Sequence, residues 1–362
     1  MNHDMNALTN TDLLRSSVPM FKDLIPKRHD CIFGAYRFEL SEIAKLVRAY
    51  DEEVAIDPSF SISSVPPKVL QIAGLVFHES RVGSTLVSNA FVMANPEKHR
   101  SFSESEPPAA ALRGICGSSV GSHIKDFVHY NRTNLEHLCQ RPGQAAMVLR
   151  DIMYLQSRSN DPREEKVLFK FQTGPNVFIP FFRKAFPDTP WIFLYRDPLQ
   201  VLMSYLKSKH IQREWCVASR ESPSRILKEW ALQHGMHNIS GLSNIEYCAL
   251  VISSATQAGL ESLLQDKSNM SRALNYNSLS PDTLEKLFEN HFDIKLSSND
   301  RERMKGAFSR YSKGKGKNKG RKWQGGDSYE KTRGANYDLK QLASTLLQDS
   351  YEQLSHLSFT GH

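Results

Sequence analysis

Apolar runs and polar turns alternate through the middle of this chain. Residues 69–77 (VLQIAGLVF) are almost unbroken apolar sequence between Pro66-Pro67 and a small polar turn, which predicts a buried strand. The apolar stretch 86–94 behind that turn predicts a helix, so the unit reads strand, tight loop, helix. The theme recurs. Segments 100–105, 167–171 (VLFKF), 191–195 (WIFLY) and 272–276 (RALNY) read as strands, and 145–156, 176–186 and 198–207 as helices. Ser222-Pro223 has the form of an N-cap with proline at the first helical position, predicting a helix through His237. Ser280-Pro281 caps another, and 299–309 and 339–357 carry helical spacing. Residues 42–50 are also spaced as a helix, whereas 112–140 favours neither form. Short apolar strands alternating with helices imply a parallel sheet covered on both faces. The predicted fold class is therefore α/β, three layers (α/β/α) around a central parallel sheet.

Composition narrows the function classes. The 362 residues are 40% hydrophobic and 23% charged, an ordinary globular composition, and no apolar run approaches the length of a membrane span. The start of the chain has no apolar signal core, and its five cysteines (Cys31, Cys116, Cys139, Cys216, Cys248) form no Cys-x-x-Cys pair. Both features predict reduced thiols, a cytoplasmic location and no zinc site. The net charge of +7 is concentrated, because 310–322 (RYSKGKGKNKGRK) holds seven cations and no acid while the rest of the chain balances to zero. This distribution argues against a polymer-binding surface of the histone kind, and no aromatic residues interleave within 312–322 to stack single-stranded bases. No nucleic acid is expected as partner.

Two strand-to-helix turns carry anion chemistry. The first is His78-Glu79-Ser80-Arg81-Val82-Gly83-Ser84-Thr85, where Gly83 lets the backbone approach a ligand and Ser84 and Thr85 open a helix whose amides favour phosphate. No lysine follows Gly83, so this is not a Walker A loop. The second is Tyr195-Arg196-Asp197-Pro198, with Arg196 ending a strand and Ser204 eight residues on, about two helical turns away.

In that order, about 115 residues apart, the two turns resemble those of sulfotransferases that use 3'-phosphoadenosine-5'-phosphosulfate (PAPS). The first is similar to the 5'-phosphosulfate loop [K/R]-S-G-[ST]-[ST], with Arg81, Gly83, Ser84 and Thr85 matching and Val82 standing for a serine. The second is similar to the 3'-phosphate motif through Arg196 and Ser204. Tyr276-Asn277-Ser278-Leu279 resembles the family's Y-E-D-L segment, and Ser312, Lys313 and the downstream Asp327 and Lys331 its nucleotide-covering loop. The resemblance covers roughly 68–355 and implies a P-loop NTPase-like fold, PAPS as sulfuryl donor and no metal. It implies donor contacts from Ser80, Arg81, Val82, Gly83, Ser84, Thr85, Arg196, Ser204, Tyr276, Ser312, Lys313, Arg321 and Lys322. By domain, 1–65 is an N-terminal extension and 66–362 the catalytic unit, with a basic mobile loop at about 310–330.

For the chemistry the resemblance implies Arg81 as an electrostatic group beside the departing nucleotide, since a guanidinium does not donate its proton. Lys170 matches a strand-end lysine that contacts the sulfuryl group. Cytosolic members carry a histidine two residues later, whereas this chain has Gln172. Other members use a glutamate, which assigns the base to Glu106, with Glu104 next and His78 and Glu79 behind it. The acceptor is expected to offer a hydroxyl or amine on a small molecule or carbohydrate; a homodimer stays open. Two other readings stand beside this one: a non-catalytic nucleotide- or polyanion-binding protein of the same fold, which Gln172 permits, and a P-loop kinase, which the missing lysine disfavours.

Overall fold

The computed structural model describes residues 48, 68–121, 139, 142–208, 210–217, 220–309 and 333–359. The segments 1–47 and 49–67, which hold most of the expected extension, and 310–332, which holds the basic segment, lie outside them. Among the described residues there are seven strands: β1 (Lys68–Val69), β2 (Gln71–His78), β3 (His99–Ser103), β4 (Arg158–Ser159), β5 (Lys166–Lys170), β6 (Trp191–Tyr195) and β7 (Ser271–Asn275). Five of them form a parallel sheet in the order β3-β5-β2-β6-β7, while β1 and β4 make a small antiparallel pair. The ten α-helices among the described residues are α1 (Ser84–Ala94), α2 (Glu106–Gly121), α3 (Pro142–Ser157), α4 (Ile179–Ala185), α5 (Pro198–Leu206), α6 (Arg225–Gln233), α7 (Asn244–Gln265), α8 (Pro281–Asn290), α9 (Ser298–Lys305) and α10 (Tyr337–His356).

The sheet is buried on both faces, as its apolar strands require. In β2, Ala73 and Val76 enter one core with α1, α5, α8 and α9, while Leu75 and Phe77 enter a second with α2, α3 and α4. In β6, Ile192 and Leu194 face the first core and Trp191, Phe193 and Tyr195 the second. The second core is aromatic: the Phe77 ring lies 4.9 Å from Phe171, 5.3 Å from Phe182 and 5.8 Å from Trp191. The three-layer α/β arrangement is thus as the hydrophobic pattern predicts.

Three local readings are corrected. The helix expected from Ser222-Pro223 begins later: Ser224 is the N-cap, its side chain accepts from the Leu227 amide, and α6 stops at Gln233. The stretch 176–186 is broken into a 3-10 turn, Gly174–Phe178, and the short α4, with Pro180 in the first turn of the second piece. The longest helix among the described residues, α7, has no counterpart in the periodicity reading. Fourteen of its residues are buried, so apolar and small side chains surround it and no single stripe stands out. Gly259 lies against β6, where a Cβ would run into the Phe193 ring.

The expectation of unpaired thiols also fails. Cys116 pairs with Cys139 and Cys216 with Cys248, with Cα separations of 4.5 and 5.0 Å. Partners 23 and 32 residues apart become neighbours only when the helices pack. The cysteines therefore no longer argue for a reducing compartment. Among the described residues no helix is long and apolar enough to cross a membrane.

Candidate functional site

All five parallel strands end at the same edge of the sheet, so the turns after them converge. The parallel registers Val76↔Lys170, Ser103↔Lys170, His78↔Leu194 and Tyr195↔Asn275 put 79–85, 104–106, 171–172, 196–197 and 276–279 side by side. In open α/β sheets this carboxyl edge is where ligands bind.

The first turn leaves β2 through two left-handed residues, Arg81 at φ 68° and Gly83 at φ 79°. Gly83 is required for a second reason: a Cβ would sit 2.9 Å from Leu279 and 3.0 Å from the Tyr276 ring. No side chain caps α1 and no acid lies in its first turn, which leaves the positive end of the helix to an external anion. Val82 is buried in the first core, and Ser84 is buried as α1 begins.

The second turn folds onto the first. The Arg196 guanidinium donates from Nη1 to the main-chain carbonyl of Arg81 at 3.3 Å and from Nε to Gln200 at 2.9 Å, and it stacks 3.9 Å from the Tyr276 ring centre. Asp197 caps α5 by accepting from the Gln200 amide at 3.0 Å, with Pro198 behind it. Ser204 donates to the Gln200 carbonyl within the helix at 2.9 Å. Arg81, Gly83, Arg196 and Tyr276, distant in sequence, are therefore one cluster.

A second group lies at the ends of β3 and β5. The fully buried Lys170 ammonium meets the half-exposed Glu104 carboxylate at 2.7 Å, and Glu104 takes the left-handed φ of 62°. The Gln172 amide reaches toward the Glu104 carbonyl at 3.5 Å. Glu106 is the first residue of α2; its side chain is outside the description. His78 is buried with Nε2 unpartnered, and desolvation, assisted by the Lys170 charge, lowers its pKa to about 3. The imidazole is therefore neutral at neutral pH.

Several structural roles escaped sequence reasoning, among them that of Glu79, which entered there only as a distant candidate base. Glu79 accepts from the Arg196 amide at 3.1 Å and the Thr256 hydroxyl at 2.9 Å, tying β2, β6 and α7 together beneath the turns. Burial raises its pKa to about 8, so below that pH it adds no negative charge under the anion-binding edge. Arg81 donates from Nη2 to Glu214 at 2.7 Å and lies 5.1 Å from the Tyr205 ring centre. Trp215 donates to Tyr205 at 2.7 Å and to Ser80 at 3.3 Å. Gln200 lies in α5 while Arg196 precedes that helix, so it carries no local signal, and neither do Glu214 and Thr256. Ser312, Lys313, Arg321 and Lys322 lie outside the described residues, as do Asp327 and Lys331. Among the described residues no cluster of three or more His, Cys, Asp or Glu is arranged to hold a metal.

The molecule is thus an α/β protein whose sheet edge joins an uncapped helix start to two arginines. No family model matches the chain, and no curated protein matches it. Among solved structures it is similar to the sulfotransferase domain from the curacin biosynthetic pathway, at 13% identity over 81% of this chain and 99% of that one, with a TM-score of 0.39. It is also similar to the sulfotransferases STF9 of Mycobacterium avium (13% identity, 75% of each chain, TM-score 0.37) and STF1 of Mycobacterium tuberculosis H37Rv (13%, 73% and 75%, 0.39).

Proposed function

We propose that this protein is a sulfotransferase that moves a sulfuryl group from PAPS to a hydroxyl or amine of a small acceptor. The observation that carries the reading is the union of the two turns: Arg196 bonds to the Arg81 carbonyl while Tyr276 touches both Arg196 and the Gly83 turn. The fit to the donor is chemical. An uncapped helix start behind a left-handed glycine suits a 5'-phosphosulfate, and a guanidinium stacked on an aromatic ring suits a 3'-phosphate.

When bound, the donor supplies an activated sulfuryl group, and the chain's own work is positioning and charge stabilisation. The amides opening α1, together with Arg81, hold the 5' end and offset the charge that grows on the departing nucleotide. Arg196 and Ser204 hold the 3' end, and Tyr276 backs the Arg196 guanidinium with its ring. Lys170 steadies the sulfuryl oxygens, with Glu104 as its resting counter-charge. The acceptor proton goes to a carboxylate of the 104–106 turn, Glu106 by resemblance and Glu104 by its contact with Lys170. In this reading 66–362 is the catalytic unit and 310–330 covers the nucleotide.

Calorimetry with 3'-phosphoadenosine-5'-phosphate and with ATP-Mg, followed by radiolabelled sulfate transfer to an acceptor panel, tests it. Preference for the adenosine bisphosphate together with transfer supports the reading. Preference for ATP overturns it, and binding without transfer turns it into the non-catalytic binder.

A further inference from the structure

We propose that Glu214 is a built-in counter-anion of the first turn: its carboxylate holds the Arg81 guanidinium until an anionic ligand replaces it, and so sets the threshold for anion binding. The inference rests on the sulfotransferase reading only for the name of the ligand; the latch itself needs any phosphate-like anion.

The geometry has four parts. First, the pair is direct, Arg81 Nη2 to Glu214 Oε1 at 2.7 Å, and both side chains are partly shielded from water, at 28% and 18% exposure. An anion held by Arg81 would meet a like charge in direct contact with its own ligand. Second, the carboxylate has somewhere to stay. The Ser208 hydroxyl donates to the same Oε1 at 2.7 Å, so Glu214 keeps a donor when Arg81 turns away and no shielded charge is stranded.

Third, Arg81 is guided when released, because its guanidinium lies over the Tyr205 ring and its backbone is already set at φ 68°. Fourth, the segment that carries Glu214 is anchored. Trp215 bonds to Tyr205 and Ser80, and Cys216 is joined to Cys248 in α7. Opening therefore asks for side-chain rotation alone. An arm that is closed about nine-tenths of the time weakens apparent affinity about tenfold.

The test titrates wild type, Glu214→Gln, Ser208→Ala and the double variant with 3'-phosphoadenosine-5'-phosphate and with inorganic pyrophosphate, following the heat of binding. Glu214→Gln is expected to bind both ligands about tenfold more tightly. Ser208→Ala is expected to weaken binding in wild type, where it removes the resting place of the carboxylate, and to change nothing beside Glu214→Gln. Equal or weaker binding by Glu214→Gln overturns the proposal and makes Glu214 a positioning partner of Arg81. A tenfold gain for pyrophosphate with no nucleotide binding by either protein upholds the latch and overturns the donor reading. Failure of both ligands on both proteins overturns both. Thermal unfolding of each variant checks that the fold is kept.

Discussion

Arg196 donates to the main-chain carbonyl of Arg81, across 115 residues of sequence, while its guanidinium lies over the Tyr276 ring, 3.9 Å from its centre. Two turns that separately look like ordinary helix starts are therefore one surface, and a change in either should be felt as a change in the same ligand.

Arg196→Ala is expected to weaken 3'-phosphoadenosine-5'-phosphate by about 10- to 100-fold, the worth of one or two hydrogen bonds to a charged group. Arg196→Lys should recover little of it, because an ammonium cannot reproduce the planar fork. Tyr276→Ala should give a smaller loss of the same sign. Calorimetry of the three variants checks the order.

Gly83→Ala is expected to destabilise the protein by about 1–3 kcal/mol, since an L-residue at φ 79° is strained and its methyl would press on Leu279 and Tyr276. Nucleotide affinity should fall with it. Denaturant unfolding and calorimetry on one preparation separate the two losses.

Glu104 and Glu106 are separated by kinetics. Substituting the true base with glutamine should cut kcat by about 10²- to 10⁴-fold at unchanged nucleotide affinity. Glu104→Gln also removes the carboxylate that pairs with buried Lys170, so it should lower the melting temperature whether or not Glu104 is the base. Near-normal turnover in either variant clears that residue.

Glu79 and His78 give opposite pH dependences. The folded state holds the Glu79 proton up to about pH 8 against an ordinary 4.5, so its stabilisation is complete below 4.5 and is lost as pH rises through 8. His78, lowered from 6.5 to about 3, stabilises above pH 6.5 and loses its contribution as pH falls toward 3. Glu79→Gln should therefore gain on wild type between pH 4.5 and 8, by at most about 1.4 kcal/mol per unit. His78→Asn should flatten the acid side. Urea unfolding from pH 4 to pH 9 reads both.

Cys216→Ser with Cys248→Ser should lower stability by about 2–4 kcal/mol in oxidising buffer, and the difference from wild type should vanish in reductant, where wild type has lost the bond too. Mass spectrometry of the unfolded, alkylated chain counts the free thiols directly.

Much of the scaffold was legible because its signals are local. The run Trp191–Tyr195 is a strand in prediction and structure alike, and Ser280-Pro281 opens α8 as written. Where reading failed, the deciding contact was elsewhere. Ser222-Pro223 looks like a cap, yet Ser224 supplies the hydroxyl that reaches the Leu227 amide. In α7 the capping box of Ser243 and Glu246 went unread, and burial around the whole helix erased the stripe that periodicity seeks.

Alternation, glycine and cap chemistry act over a few residues, so the layered α/β fold, the two strand-to-helix turns and the residue types able to meet an anion can be read along the chain. Packing alone makes Arg196 rest on Tyr276 and bond to Arg81, lets Glu214 hold Arg81, has Glu79 tie three elements together and pairs four cysteines. Those relations join residues tens to more than a hundred positions apart. Parallel strand order and helix packing bring them together, and neither is written in any local stretch of chain.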